Sequence, residues 1–125
     1  MDKPCLLVYV EDQSLQSQIE EIAGAQNLYI QFATQGDQLF QLAKTFAPFM
    51  MILDLSGPNS EWLFRHIGAI RVAQPDFPIV GLIALGQDEV GDRAEKYGCN
   101  RILTKSEFAK ALPKAIEHFL LRNGH

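Results

Sequence analysis

Strand-length apolar runs alternate with helix-like stretches from one end of the chain to the other, and this alternation restricts the fold more than any other feature. Cys5-Leu6-Leu7-Val8-Tyr9-Val10 is apolar throughout and stops at Glu11-Asp12. A strand with two apolar faces belongs inside a parallel sheet covered by helices on both sides. Ser14 then offers an N-cap, Leu15, Ile19, Ile22 and Ala23 recur at helical spacing, and 24–27 closes that helix. Residues 28–33 read as a second strand, more polar and so nearer an edge. A helix opening at Gly36 or Asp37 carries Leu39, Phe40, Leu42, Ala43 and Phe46 before Pro48 stops it. Residues 49–53 form the third strand, ending on Asp54 and followed by a turn-rich loop over 55–60. Trp62, Leu63, Ile67, Ile70 and Val72 predict a helix at about 61–73, broken by Pro75 and Pro78. Residues 79–85 are the fourth strand, 88–97 a polar helix capped by Gly98, and 101–104 a brief fifth strand ending at Lys105. Pro113 is read as the first residue of the last helix, which leaves 106–112 as a loop or short turn. The pattern predicts an α/β, flavodoxin-like, doubly wound (βα)5 domain. Its five-stranded parallel sheet has the order 2-1-3-4-5 and helices on both faces, with residues 1–125 forming one domain.

Composition narrows the function classes. A chain of 125 residues with 47% apolar content can bury one core without metals or disulfides. Fifteen acids against eleven Lys and Arg give a charge of −4, which disfavours direct binding of nucleic acid. No apolar run is long enough for a membrane span and no signal peptide is visible. Cys5 and Cys99 form neither a CxxC pair nor a zinc spacing, so a reduced, cytoplasmic setting is expected with both as small buried hydrophobes. His66, His118 and His125 share no metal spacing and are expected at the surface; Met50 and Met51 sit in a strand, and Met1 has no cofactor meaning. Gly24, Gly36, Gly57 and Gly98 make no GxGxxG fingerprint. Trp62 is expected to pack rather than bind, while Leu85 suits a strand-end core position as well as a role at the crevice mouth.

In doubly wound sheets ligands bind beyond the carboxyl ends of the strands, where strand order reverses. The candidates there are Glu11, Asp12, Asp54, Ile83, Ala84 and Lys105, with nothing expected of the strand interiors. Three carboxylates in one crevice repel one another unless a cation stands among them, and Mg²⁺ with its preference for oxygen suits Glu11, Asp12, Asp54 and the backbone carbonyl of Ser56. Lys105 is expected to reach Asp54 or an anion attached to it. A nucleophilic carboxylate, a metal and a lysine together suit phosphoryl transfer. Taken singly, Asp12 is an ordinary helix cap and Lys105 a surface lysine; it is the placing of four charges at the ends of three apolar strands that favours a site.

Over about residues 4–121 the chain resembles the receiver domains of two-component response regulators. Val10-Glu11-Asp12 resembles their acidic pair, Met51-Ile52-Leu53-Asp54-Leu55 with Pro58 the phospho-acceptor segment, and Leu103-Thr104-Lys105 the lysine segment. The resemblance implies a phosphoprotein that is no enzyme beyond its own phosphorylation and dephosphorylation. Asp54 would take phosphate from a histidine kinase or phosphotransfer protein, Glu11 and Asp12 would position Mg²⁺, and Lys105 and Ala84 would contact the phosphoryl group. It also implies a downstream protein bound at the face formed by helix four, strand five and helix five, with a homodimer left open. Val90, Tyr97, Phe108 and Phe119 are candidate apolar contributors to that face, and Gly91 suggests mobility in helix four.

Two positions depart from the family pattern. Ile83 stands where receivers place a Ser or Thr hydroxyl, and Ile102 where they place the aromatic switch residue. Ser106 replaces the proline many receivers carry after the lysine, and with Leu112-Pro113 it looks like receivers found with hybrid sensor kinases. One missing charge-assisted hydrogen bond is worth ~1.5–3 kcal/mol, enough to weaken coupling without removing the acceptor. The runner-up is therefore a phosphorylation-independent pseudo-receiver that binds a protein constitutively. A Mg²⁺-dependent phosphatase would need a second acid near Asp54, where Ser56 stands, and a flavin protein would need a phosphate loop where Glu11-Asp12 stands.

Overall fold

The first strand, β1 (Cys5–Tyr9), is buried at every position and lies inside the sheet, as its two apolar faces require. The computed structural model describes residues 3–58 and 60–122; the expectations that touch Met1, Asn59, His125 and the remaining terminal positions lie outside the described residues. After β1 come α1 (Gln13–Ala25), β2 (Tyr29–Phe32), a 3₁₀ turn (Gly36–Gln38), α2 (Leu39–Phe46), β3 (Met50–Asp54) and α3 (Ser60–Ala73). The chain continues through β4 (Ile79–Ile83), α4 (Asp88–Tyr97), β5 (Arg101–Thr104) and α5 (Phe108–Arg122). All four strand pairings are parallel and the order is β2-β1-β3-β4-β5, the topology expected from the alternation. β2 is an edge strand, in keeping with its polar content.

Register splits the core into two layers. Leu6 pairs with Met50 and Val8 with Ile52, and these side chains join Leu15 and Ile19 of α1 and Ile116 and Phe119 of α5. Leu7 pairs with Met51 and Tyr9 with Leu53, and these face Leu39 of α2, Leu63, Phe64 and Ile67 of α3 and Ala94 of α4. The period of two along a strand thus assigns each residue its helical layer.

β1, β2 and β3 differ by a residue from the sequence reading and α2 begins at Leu39 after the 3₁₀ turn; three further boundaries differ more consequentially. Asp12, not Ser14, caps α1: its backbone is extended and its Oδ1 accepts from Ser14 N at 2.8 Å and Leu15 N at 3.3 Å. β4 ends at Ile83, leaving Ala84 half-buried and Leu85 88% exposed, so Leu85 is not a core residue. α5 begins at Phe108 and carries Pro113 inside it. Its buried stripe of Phe108, Leu112, Ala115, Ile116 and Phe119 starts five residues before the proline, and burying that stripe outweighs one lost backbone bond. The carbonyl to which Pro113 cannot donate is that of Ala109, an exposed residue.

Phe108 and Phe119 are 1% and 3% exposed, so they belong to the core and not to a docking face; Val90 is half-buried and Tyr97 is 41% exposed. Gly91 has a packing role. A Cβ there would stand 3.1 Å from Ile102 Cγ2 and 3.4 Å from Ile83 Cδ1, so the glycine lets α4 lie close on the sheet. Cys5 and Cys99 are free and buried, and burial pushes the Cys99 thiol up to about 12. Among the described residues no helix is long and apolar enough to cross a membrane.

Candidate functional site

The parallel ladder carries the chemistry-bearing residues to one end of the sheet. β3 ends on Asp54, which lies level with Leu82 of β4. Glu11 and Asp12 follow β1, and Lys105 follows β5, where its backbone N–H donates to the Ile83 carbonyl at 2.9 Å. Chain segments distant in sequence thus meet at Asp54.

Asp54 is half-buried and both of its oxygens are engaged. Oδ1 accepts from Ser56 N at 2.9 Å and from Ser56 Oγ at 2.6 Å, while Oδ2 faces Lys105 Nζ at 3.1 Å. The Asp54 side chain is 15% exposed and that of Lys105 is 29% exposed, so this ion pair is only partly screened by water. Glu11 is exposed and its Oε1 accepts from Tyr9 OH at 3.2 Å. Tyr9, Glu11, Asp54, Gly57, Pro58 and Leu63 line a cleft of about 60 Å³. Asp12 is exposed and committed to capping α1, which turns its Oδ1 toward backbone N–H groups.

Tyr9 was missed by attending only to residues beyond the strands. It is the last residue of β1 and lines the cleft; burial first, then the hydrogen bond to Glu11 and the charges of Glu11 and Asp54, raise its pKa. The readable signal was an aromatic with a polar tip at the end of an apolar run, two positions before an acid. Gln87 was missed as well. Its Oε1 accepts the Ala84 N–H at 2.8 Å and its Nε2 donates to the Ser56 carbonyl at 3.3 Å.

The opposite side of the crevice is apolar. Ile83 is 4% exposed, and Ile102 is packed against the same core layer. Gly81 lies beneath them: a Cβ there would stand 2.6 Å from Leu55 Cδ1, 3.1 Å from Ile102 Cδ1 and 3.2 Å from Cys99 Sγ. The two isoleucines therefore fill space between β4, β5 and α4 with no hydroxyl or aromatic edge to offer.

The donor chemistry can be tested against Mg²⁺. Among the described residues no three His, Cys, Asp or Glu side chains already stand together as a metal cluster. Mg²⁺ does not need three, because it binds through one or two carboxylates and keeps several waters. Glu11 and Asp54 share a cleft with space for a few waters, and both present hard oxygen. The residues fit the ion.

No protein-family model matches the sequence, and no curated protein does. Solved structures do. A putative response regulator from Chloroflexus aurantiacus is similar with a TM-score of 0.81 at 20% identity, covering 95% of this chain and 99% of that one. The receiver domain of NtrX from Brucella abortus is similar with a TM-score of 0.78 at 19% identity, covering 92% and 97%. The chain has the receiver-domain fold. A CheY-like protein, TadZ, from Pseudomonas aeruginosa is as close in shape, at 0.81, with 14% identity and coverage of 93% and 98%. The shape survives while most residues differ.

Proposed function

We propose that the chain is a receiver domain that takes phosphate onto Asp54 from a histidine kinase or phosphotransfer protein and passes the signal to a protein partner. The observation that carries this reading is the 3.1 Å approach of Lys105 Nζ to Asp54 Oδ2 at the end of a central strand, beside the Glu11 carboxylate. In the transfer a carboxylate oxygen of Asp54 attacks the phosphorus of a phosphohistidine. The P–N bond breaks with its electron pair left on the imidazole, and an acyl phosphate O–P bond forms. Lys105 stays beside the phosphoryl oxygens and offsets their charge, and the Ala84 N–H would donate to one of them. Glu11, Asp12, Asp54 and the Ser56 carbonyl would hold Mg²⁺, which would supply further charge neutralisation. The downstream partner would bind at the α4–β5–α5 face.

The test is exposure to acetyl phosphate with Mg²⁺, read by intact mass. The expected result is a gain of one phosphoryl group, lost in Asp54→Asn and strongly slowed in Lys105→Met. No gain in the native chain, together with no Asp54-dependent spectral change on adding beryllofluoride, overturns the reading. One observation favours a second reading, a module that binds its partner without phosphate: Ile83, Ile102 and Gly91 pack α4 against the sheet with no polar group to sense a phosphoryl oxygen.

A further inference from the structure

If the usual sensing positions are aliphatic, occupancy at Asp54 has to reach α4 by another route. Gln87 is the residue immediately before α4, and its carboxamide spans the gap between the β3–α3 and β4–α4 loops. The two backbone groups it holds, the Ala84 N–H and the Ser56 carbonyl, are those a phosphoryl oxygen and a metal ion would claim at an occupied Asp54. The same Ser56 supplies both hydrogen bonds to Asp54 Oδ1, so Gln87 is one residue removed from the acceptor carboxylate.

We propose that Gln87 is an internal competitor for the phosphoryl site: its carboxamide holds the ligand-binding backbone groups while Asp54 is unmodified, and its displacement on modification moves the start of α4. This rests on the reading of Asp54 as a phospho-acceptor and adds to it a residue that regulates the site. A carboxamide suits the task because it offers an acceptor to the Ala84 N–H and a donor to the Ser56 carbonyl together. Both bonds are broken when a charged ligand with stronger hydrogen bonds arrives. The displaced side chain belongs to the residue that leads into α4, and the Gly91 N–H donates to the Gln87 carbonyl at 3.2 Å, which joins that residue to the helix. Motion of Gln87 therefore passes to α4 without any rearrangement of Ile83 or Ile102.

The experiment titrates beryllofluoride with Mg²⁺ into the native chain, Gln87→Met and Gln87→Ala. Affinity is followed by amide NMR, and exchange of the α4 amides is followed in the same samples. Methionine keeps the length of the side chain and removes both bonds; alanine removes bonds and bulk. Removing a competitor that makes two ordinary hydrogen bonds should tighten binding by about five- to tenfold in both variants. The native chain should show ligand-dependent changes at Asp88–Gly91, and in the variants these changes should shrink, because no side chain remains to be displaced. A merely structural Gln87 would leave affinity unchanged or weaken it on substitution. Binding by the native chain with equal or weaker binding by both variants overturns this inference alone. Failure of all three proteins to bind overturns the acceptor reading and this inference with it.

Discussion

At the ends of β1 and β3 the chain places Glu11, Asp12 and Asp54; on the other side of the crevice it places Ile83 at the end of β4 and Ile102 within β5. The first half is wet and hydrogen-bonded: every carboxylate there accepts from a neighbour, and Lys105 reaches across to Asp54. The second half is dry and tightly filled, with Gly81 and Gly91 at the points of closest approach. The difference separates two jobs that share a crevice. Taking up a charged ligand needs groups that can exchange partners with water at little cost. A packed aliphatic wedge resists rearrangement, because interiors tolerate neither added volume nor voids.

The largest effect should come from overfilling the dry half. Gly81→Val would drive new carbons into Leu55, Ile102 and Cys99, and should lower stability by about 3 kcal/mol in urea unfolding. A loss below about 0.5 kcal/mol would mean that this half yields, and the contrast would disappear.

A smaller effect should follow from Cys99, which is buried in the same wedge with its thiol pushed up to about 12. Its folded pKa lies above the unfolded value, so the unfolded chain gives up this proton first as pH rises. The stability it contributes is complete below about pH 8.5 and is lost as pH rises toward 12, at up to ~1.4 kcal/mol per pH unit. Urea melts between pH 8 and 10 should show that slope, a loss of at most about 2 kcal/mol, and Cys99→Ala should flatten it. Tyr9, also raised, would add to the loss in the same direction at higher pH.

The smallest effect is expected in the wet half. A double-mutant cycle on Lys105→Met and Asp54→Asn should return a coupling of under about 1 kcal/mol that falls with added salt, because both side chains keep contact with water. A salt-independent coupling of several kcal/mol would make the pair a buried structural bridge and not an open ligand site.

What the sequence by itself determined is the alternation and therefore the sheet. Apolar runs of strand length, each followed by a helical stripe, are local patterns, and a strand apolar on both faces has one stable place to go. The same locality made Glu11, Asp12, Asp54 and Lys105 legible, because charges at the ends of apolar runs must collect at one edge of a parallel sheet. Only the tertiary structure decided the rest. Ser14 and Asp12 were both competent caps, and the geometry of the loop after β1 selected Asp12. Pro113 looked like a helix start until the burial of Phe108 and Leu112 extended α5 past it. The packing role of Gly91 emerges only when Ile102 and Ile83 are set against it. Tyr9 enters the cleft, and Gln87 bridges to a carbonyl 31 residues away, through contacts between segments that no local period encodes. Periodicity is written within a segment; packing and hydrogen-bond partners depend on which segments the fold brings together.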